Sequence, residues 1–122
     1  MAEMVQKARY GNGNTSQTLT TFWLGGGSLT ISPNEQTDFL SRLVRHQLPF
    51  SDHAQSVVKD IMILEKRDGY VLAGKTGSCG GIGWFVGFVE RGDVSQVFAF
   101  QIRGSGANGA EAKKIAIDFL KQ

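Results

Sequence analysis

Between residues 69 and 103 the sequence alternates strand-like runs with very short glycine-containing links, and this pattern constrains the fold more than any other feature. Three runs at 70–76, 82–90 and 96–103 are joined by turns containing Gly80-Gly81 and Arg91-Gly92-Asp93. A parallel crossover needs a dozen or more residues, so links this short dictate antiparallel neighbours in a meander. The middle run carries Trp84, Val86 and Phe88 on one face and Phe85 and Val89 on the other. A strand that is apolar on both faces is covered on both, so helices are expected on each side of the sheet.

The helices announce themselves by their starts. Ser32 can cap, Pro33 suits the first helical position and Glu35 completes a capping box, which predicts a helix to about residue 46 with Phe39, Leu40, Leu43 and Val44 as its apolar stripe. Pro49 blocks its continuation. Ser51, followed by Asp52, opens a second helix to about residue 64, with Val57, Val58, Ile61 and Met62 as its expected buried side. A third helix begins at Asn108 or Gly109 and places Ala112, Ile115, Ala116, Phe119 and Leu120 at helical spacing. Residues 1–9 can form one or two helical turns, with Met4, Val5 and Ala8 on one side, and Gly25-Gly26-Gly27 reads as a loop. The expected fold is α+β: a three-stranded antiparallel sheet flanked by helices, in one domain spanning residues 1–122.

Composition supports a folded core and excludes several functions. Hydrophobic residues make up 41% and charged residues 20%, the balance of a globular chain rather than a disordered one. The net charge of +2 is dispersed, so no basic stripe is available for nucleic acid. No apolar run approaches the roughly 20 residues that cross a bilayer, and charges interrupt the first residues where a secretory signal would be apolar. Cys79, His46 and His53 lack metal-ligand spacing, and no cofactor motif is present.

Lys75-Thr76-Gly77 lies at the end of a predicted strand, just before a glycine turn. Alone, this is a plain strand end with solvated polar residues. In order along the chain, however, stand Tyr10-Gly11-Asn12, Phe22-Trp23-Leu24, Ser28-Leu29-Thr30-Ile31-Ser32, Lys75-Thr76-Gly77 and Gly83-Trp84-Phe85-Val86-Gly87-Phe88-Val89-Glu90. This series resembles the carboxy-terminal half of the class D serine β-lactamases and the related β-lactam sensor domains, from about residue 2 to residue 120. The resemblance implies a penicillin-recognising fold whose site runs along one edge strand. Lys75 and Thr76 would contact the β-lactam and its carboxylate, Gly77 would admit it, and the Ser78 backbone N–H would be one oxyanion donor. Trp23 matches the family tryptophan that steadies a carboxylated lysine, Leu24 its apolar neighbour, and Tyr10 and Asn12 part of the cleft wall.

The departures shape the functional expectation. Family members carry a Ser-x-x-Lys nucleophile and a Ser-x-Val upstream of Tyr-Gly-Asn, but only nine residues precede Tyr10 here. The two strands that complete the family sheet, and the family's substrate-binding arginine, also lack clear counterparts; Arg103 is near in sequence without aligning. Ser56-Val57-Val58-Lys59 and Ser95-Gln96-Val97 fit the missing motifs in the wrong order, and Ser56 and Lys59 are expected to face water. Arg91-Gly92-Asp93 reads as a hairpin turn. The expectation is therefore a truncated, non-catalytic relative of a periplasmic β-lactamase family, with no catalytic residue of its own. A homo-oligomer formed through the exposed edge at 96–103, or a complementing amino-terminal half, would be its partner. The remaining alternative is a hydrolase that has recruited Ser78 or Ser28.

Overall fold

The computed structural model describes every residue except Leu19, Gly25 and Gln122, so one glycine of the loop at 25–27 lies outside the described residues. The elements run α1 (Ala2–Ala8), α2 (Pro33–Val44), α3 (Asp52–Ile61), β1 (Ile63–Arg67), β2 (Tyr70–Cys79), β3 (Ile82–Arg91), β4 (Val94–Arg103) and α4 (Gly109–Leu120). The strands form one antiparallel sheet in the order β1-β2-β3-β4. The sheet therefore has four strands where three were expected. The cap at Ser51 predicts a helix to about residue 64, but that helix stops at Ile61, residues 63–67 form a strand, and Arg67 pairs with Tyr70 across a tight Asp68-Gly69 turn in which Gly69 has φ 71°. Asp-Gly is a strong hairpin signal.

Core packing divides between the two faces. Leu40 and Leu43 of α2, with Leu48 and Met62, pack on Ala73 and Phe88. On the opposite face Ala112 and Ala116 of α4 pack on Leu72, Phe85, Val89 and Phe98. The capping box at Ser32 is formed: Glu35 N–H donates to Ser32 Oγ at 3.1 Å and Ser32 N–H to Glu35 Oε1 at 3.0 Å. Ser51 and Asn108 cap α3 and α4.

Of the four residues expected on the buried side of α3, Met62 at its C-cap is buried and the other three are not. Val57, Val58 and Ile61 are exposed, Ile61 by 77%, whereas Gln55 is buried. The cause is hydrogen bonding: the Gln55 amide accepts from Leu48 N–H at 3.1 Å and donates to Leu48 O at 3.2 Å and Phe50 O at 2.9 Å. Buried backbone groups of the 48–50 loop need these partners, and α3 is turned so that they get them. Lys59, expected in water, is half-buried instead and donates to Val44 O at 3.2 Å.

At the sheet's other edge, the tight turn joining Arg91 to Val94 fixes which way β4's backbone groups point. Even-numbered residues from Val94 to Ile102 face β3, and the N–H and C=O groups of Ser95, Val97, Ala99, Gln101 and Arg103 face outward. Among the described residues no strand pairs with that side.

Candidate ligand cleft

Each face of the sheet is set by alternation. Lys75, Gly77 and Cys79 share the α2 face of β2 and lie opposite Val86, Trp84 and Ile82 of β3, which in turn lie opposite Ala99, Gln101 and Arg103 of β4. The α2–α3 core covers this face around Ala73 and Phe88, and beyond it the face opens into a cleft of about 520 Å³. Tyr10, Trp23, Leu24 and Gln36 form its opposite wall.

The strand edge in this cleft presents free hydrogen-bonding directions. β1 pairs with β2 only as far as Ala73. Gly80-Gly81, with φ 56° and 75°, closes the β2–β3 turn tightly, a conformation that favours glycine. In the antiparallel ladder that follows, Gly77 and Lys75 bond to β3, while the N–H groups of Thr76 and Ser78 point away from it. Gly74, in the same phase, confirms the direction: its N–H leaves the ladder and donates to Met62 O at 2.9 Å. The Ser78 side chain is engaged on the far face, where its hydroxyl accepts from Gly109 N–H at 2.7 Å.

Local folding explains how the loop wall is held. Phe22 is buried, 3% exposed, and anchors the segment that displays its neighbour Trp23, 61% exposed, to the cleft. Asn12 stitches this loop from behind: its Nδ2 donates to Ser28 O at 2.9 Å and its Oδ1 accepts from Thr30 N–H at 3.1 Å and Asn14 N–H at 3.0 Å. Gly11 has φ 53°, and a Cβ there would overlap Thr30 O. Tyr10, Trp23, Leu24, Lys75, Thr76, Gly77 and Ser78 thus meet in one cleft, while Asn12 is not among the residues that line it.

Electrostatics favour an anion. Among the described residues, Lys75 and Arg103 are the charged ones that line the cleft, and no carboxylate lines it. The Lys75 Nζ donates to Thr76 O at 3.1 Å, and Arg103 Nε donates to Gln101 Oε1 at 3.0 Å. Gln36 Nε2 donates to the Tyr10 hydroxyl at 2.6 Å, and Phe39 packs against the Tyr10 ring edge-on at 4.9 Å. Burial pushes the Tyr10 phenol above its ordinary pKa, with the Gln36 bond opposing the shift, so Tyr10 stays a neutral hydroxyl through the physiological range.

Sequence reasoning missed Gln36, Trp84 and Gln101 as lining residues and named Arg103 only as lying near the family's substrate-binding arginine in sequence. Gln36 left one usable sign, a polar residue one turn before Leu40 on the stripe that packs inward. Arg103 enters the cleft through the register of β4, where it lies opposite Ile82. Arg42 was also missed: buried beneath the wall, it donates to Ala8 O at 2.6 Å and Arg9 O at 3.1 Å and so fixes α1 just ahead of Tyr10.

Comparison with known proteins settles the family. Residues 1–121 match the family described as "Penicillin binding protein transpeptidase domain". The chain belongs to that family. Its transpeptidase-family relatives include "Probable beta-lactamase YbxI" of Bacillus subtilis, 44% identical over 93% of this chain and 42% of that protein. Beta-lactamase OXA-48 of Klebsiella pneumoniae is 35% identical over 100% of this chain and 48% of its own length. "Regulatory protein BlaR1" of Bacillus licheniformis is 38% identical over 95% of this chain and 20% of its own. Among solved structures, the class D β-lactamase of Bacillus subtilis superposes with a TM-score of 0.91 at 41% identity, covering 99% of this chain and 51% of that one. The fold is thus that of class D β-lactamases, and the chain spans about half the length of the β-lactamases it matches.

Proposed function

We propose that this chain is a β-lactam-binding part of a class D β-lactamase-type domain that does not turn its ligand over alone. The observation that carries this reading is the open stretch of β2, where the Thr76 and Ser78 N–H groups leave the ladder beside Lys75 in a cleft lined, among the described residues, by no carboxylate. Such a strand can meet an acyl group and an anion together: the N–H groups face the carbonyl oxygen and Lys75 attracts the carboxylate. Turnover needs a nucleophile with a partnered base as well. Ser28 Oγ donates to Asn14 O at 3.0 Å and Ser78 Oγ accepts from Gly109 N–H at 2.7 Å, so the hydrogen bonds of both candidate serines run to the backbone and not to a side-chain base. In the β-lactamases that this chain matches, about half of the length lies outside the matched span, and that half would supply the chemistry. Titrating the isotope-labelled chain with benzylpenicillin tests binding: shifts centred on residues 75–79 and on the Trp23 and Trp84 indoles are expected, and shifts absent there overturn the reading.

The open edge of β4 favours a second reading, self-association. Outward N–H and C=O groups along a ten-residue strand are a template for another strand. Two copies paired about Ala99 would place Val97 opposite Gln101 and Arg103 opposite Ser95, with no like charges facing. Sedimentation velocity at rising concentration reads the outcome: a dimer that Ala99→Pro abolishes is expected, and a monomer throughout the micromolar range rejects it.

A further inference from the structure

We propose that Arg103 forms a second anion-binding pole, so that the cleft prefers β-lactams carrying two carboxylates; this rests on the β-lactam reading above. Lys75 and Arg103 lie on the same face of the sheet, two strands apart and four residues along it. Strand geometry separates their Cα atoms by roughly 16 Å. The bonds of Lys75 to Thr76 O and of Arg103 Nε to Gln101 hold the two cations at opposite ends of the cleft. With Nε committed, the terminal guanidinium nitrogens remain to meet a carboxylate.

What lies between the poles is suited to a ring. The intervening row is Gly77, Trp84 and Gln101, so the Trp84 side chain is flanked on β2 by a residue with no side chain. Trp23 stands on the facing wall. The cleft thus offers a cation, an aromatic floor and a second cation, with no carboxylate among the described residues of its lining to repel a second negative charge. A penicillin whose aryl side chain bears its own carboxylate presents the matching series.

The test compares benzylpenicillin with α-carboxybenzylpenicillin by calorimetric titration of the whole chain at low and high salt. Because Arg103 is exposed, the expected preference for the dicarboxylate is modest, about threefold to fivefold at low salt and smaller at high salt. Arg103→Gln should bring the dicarboxylate's affinity down to that of benzylpenicillin, Arg103→Lys should retain a preference, and Lys75→Gln should weaken both ligands. Equal affinities in the parent chain, or a preference that survives Arg103→Gln, overturn the inference while leaving β-lactam binding intact. Failure of both penicillins to bind overturns the β-lactam reading and this inference with it.

Discussion

Gly109 N–H donates to the Ser78 hydroxyl at 2.7 Å, joining the first residue of α4 to the cleft strand across 31 positions of sequence. The contact needs glycine. A Cβ at Gly109 would stand 2.8 Å from both Gly77 O and Thr76 Cβ, closer than packed atoms tolerate. The cleft strand is therefore backed by the start of α4, and its open side is the one turned toward the cleft.

Gly109→Ala should push α4 off β2 and destabilise the chain by about 1–3 kcal/mol. Ser78→Ala removes one hydrogen bond and should cost about 1 kcal/mol. Urea unfolding of the two variants checks the order. Equal stability of Gly109→Ala and the parent would mean that the close approach is absent.

The facing of α3 makes an opposite pair of predictions. Gln55→Leu takes away the Gln55 partner of Leu48 N–H and Phe50 O, while Leu48 O still accepts from Phe50 N–H at 2.8 Å, and should destabilise by about 2–4 kcal/mol. Ile61→Ser, on the exposed side, should change stability by no more than about 0.5 kcal/mol. Thermal unfolding distinguishes this from the arrangement that hydrophobic spacing alone would give, in which Ile61→Ser is the damaging change.

Those residues show what the sequence made legible and where physical reasoning fell short. The caps at Ser32, Ser51 and Asn108 and the meander of β2–β4 follow from local rules, and each forms. The facing of α3 does not, because the need to satisfy Leu48 and Phe50 outweighs the burial of Val57 and Ile61, and those partners lie outside the helix. β1 is legible in Asp68-Gly69, a hairpin signal, although the helical spacing that precedes it hides where α3 ends. In the cleft, Lys75 to Ser78 could be read from motif order, whereas Arg103 and Trp84 enter it through strand register, and Gln36 through a contact 26 residues away.

Tyr10 gives a pH dependence. Its folded-state pKa is raised, so an unfolded chain ionises near pH 10 while the folded chain still holds the proton. Folded molecules then bind more protons, and this contribution to stability is intact below pH 10 and falls as pH climbs through the raised value. Chemical denaturation across the alkaline range should show that decline, and Tyr10→Phe should flatten it. An unchanged slope in Tyr10→Phe would assign the effect to other groups.

The central claim, binding without turnover, is tested most directly by intact-mass spectrometry after incubation with a penicillin and a chromogenic cephalosporin, beside a hydrolysis assay. The account predicts an unmodified mass and no hydrolysis. A mass increase of one β-lactam, with or without turnover, would contradict it by showing that a nucleophile resides on this chain, and peptide mapping would name the residue.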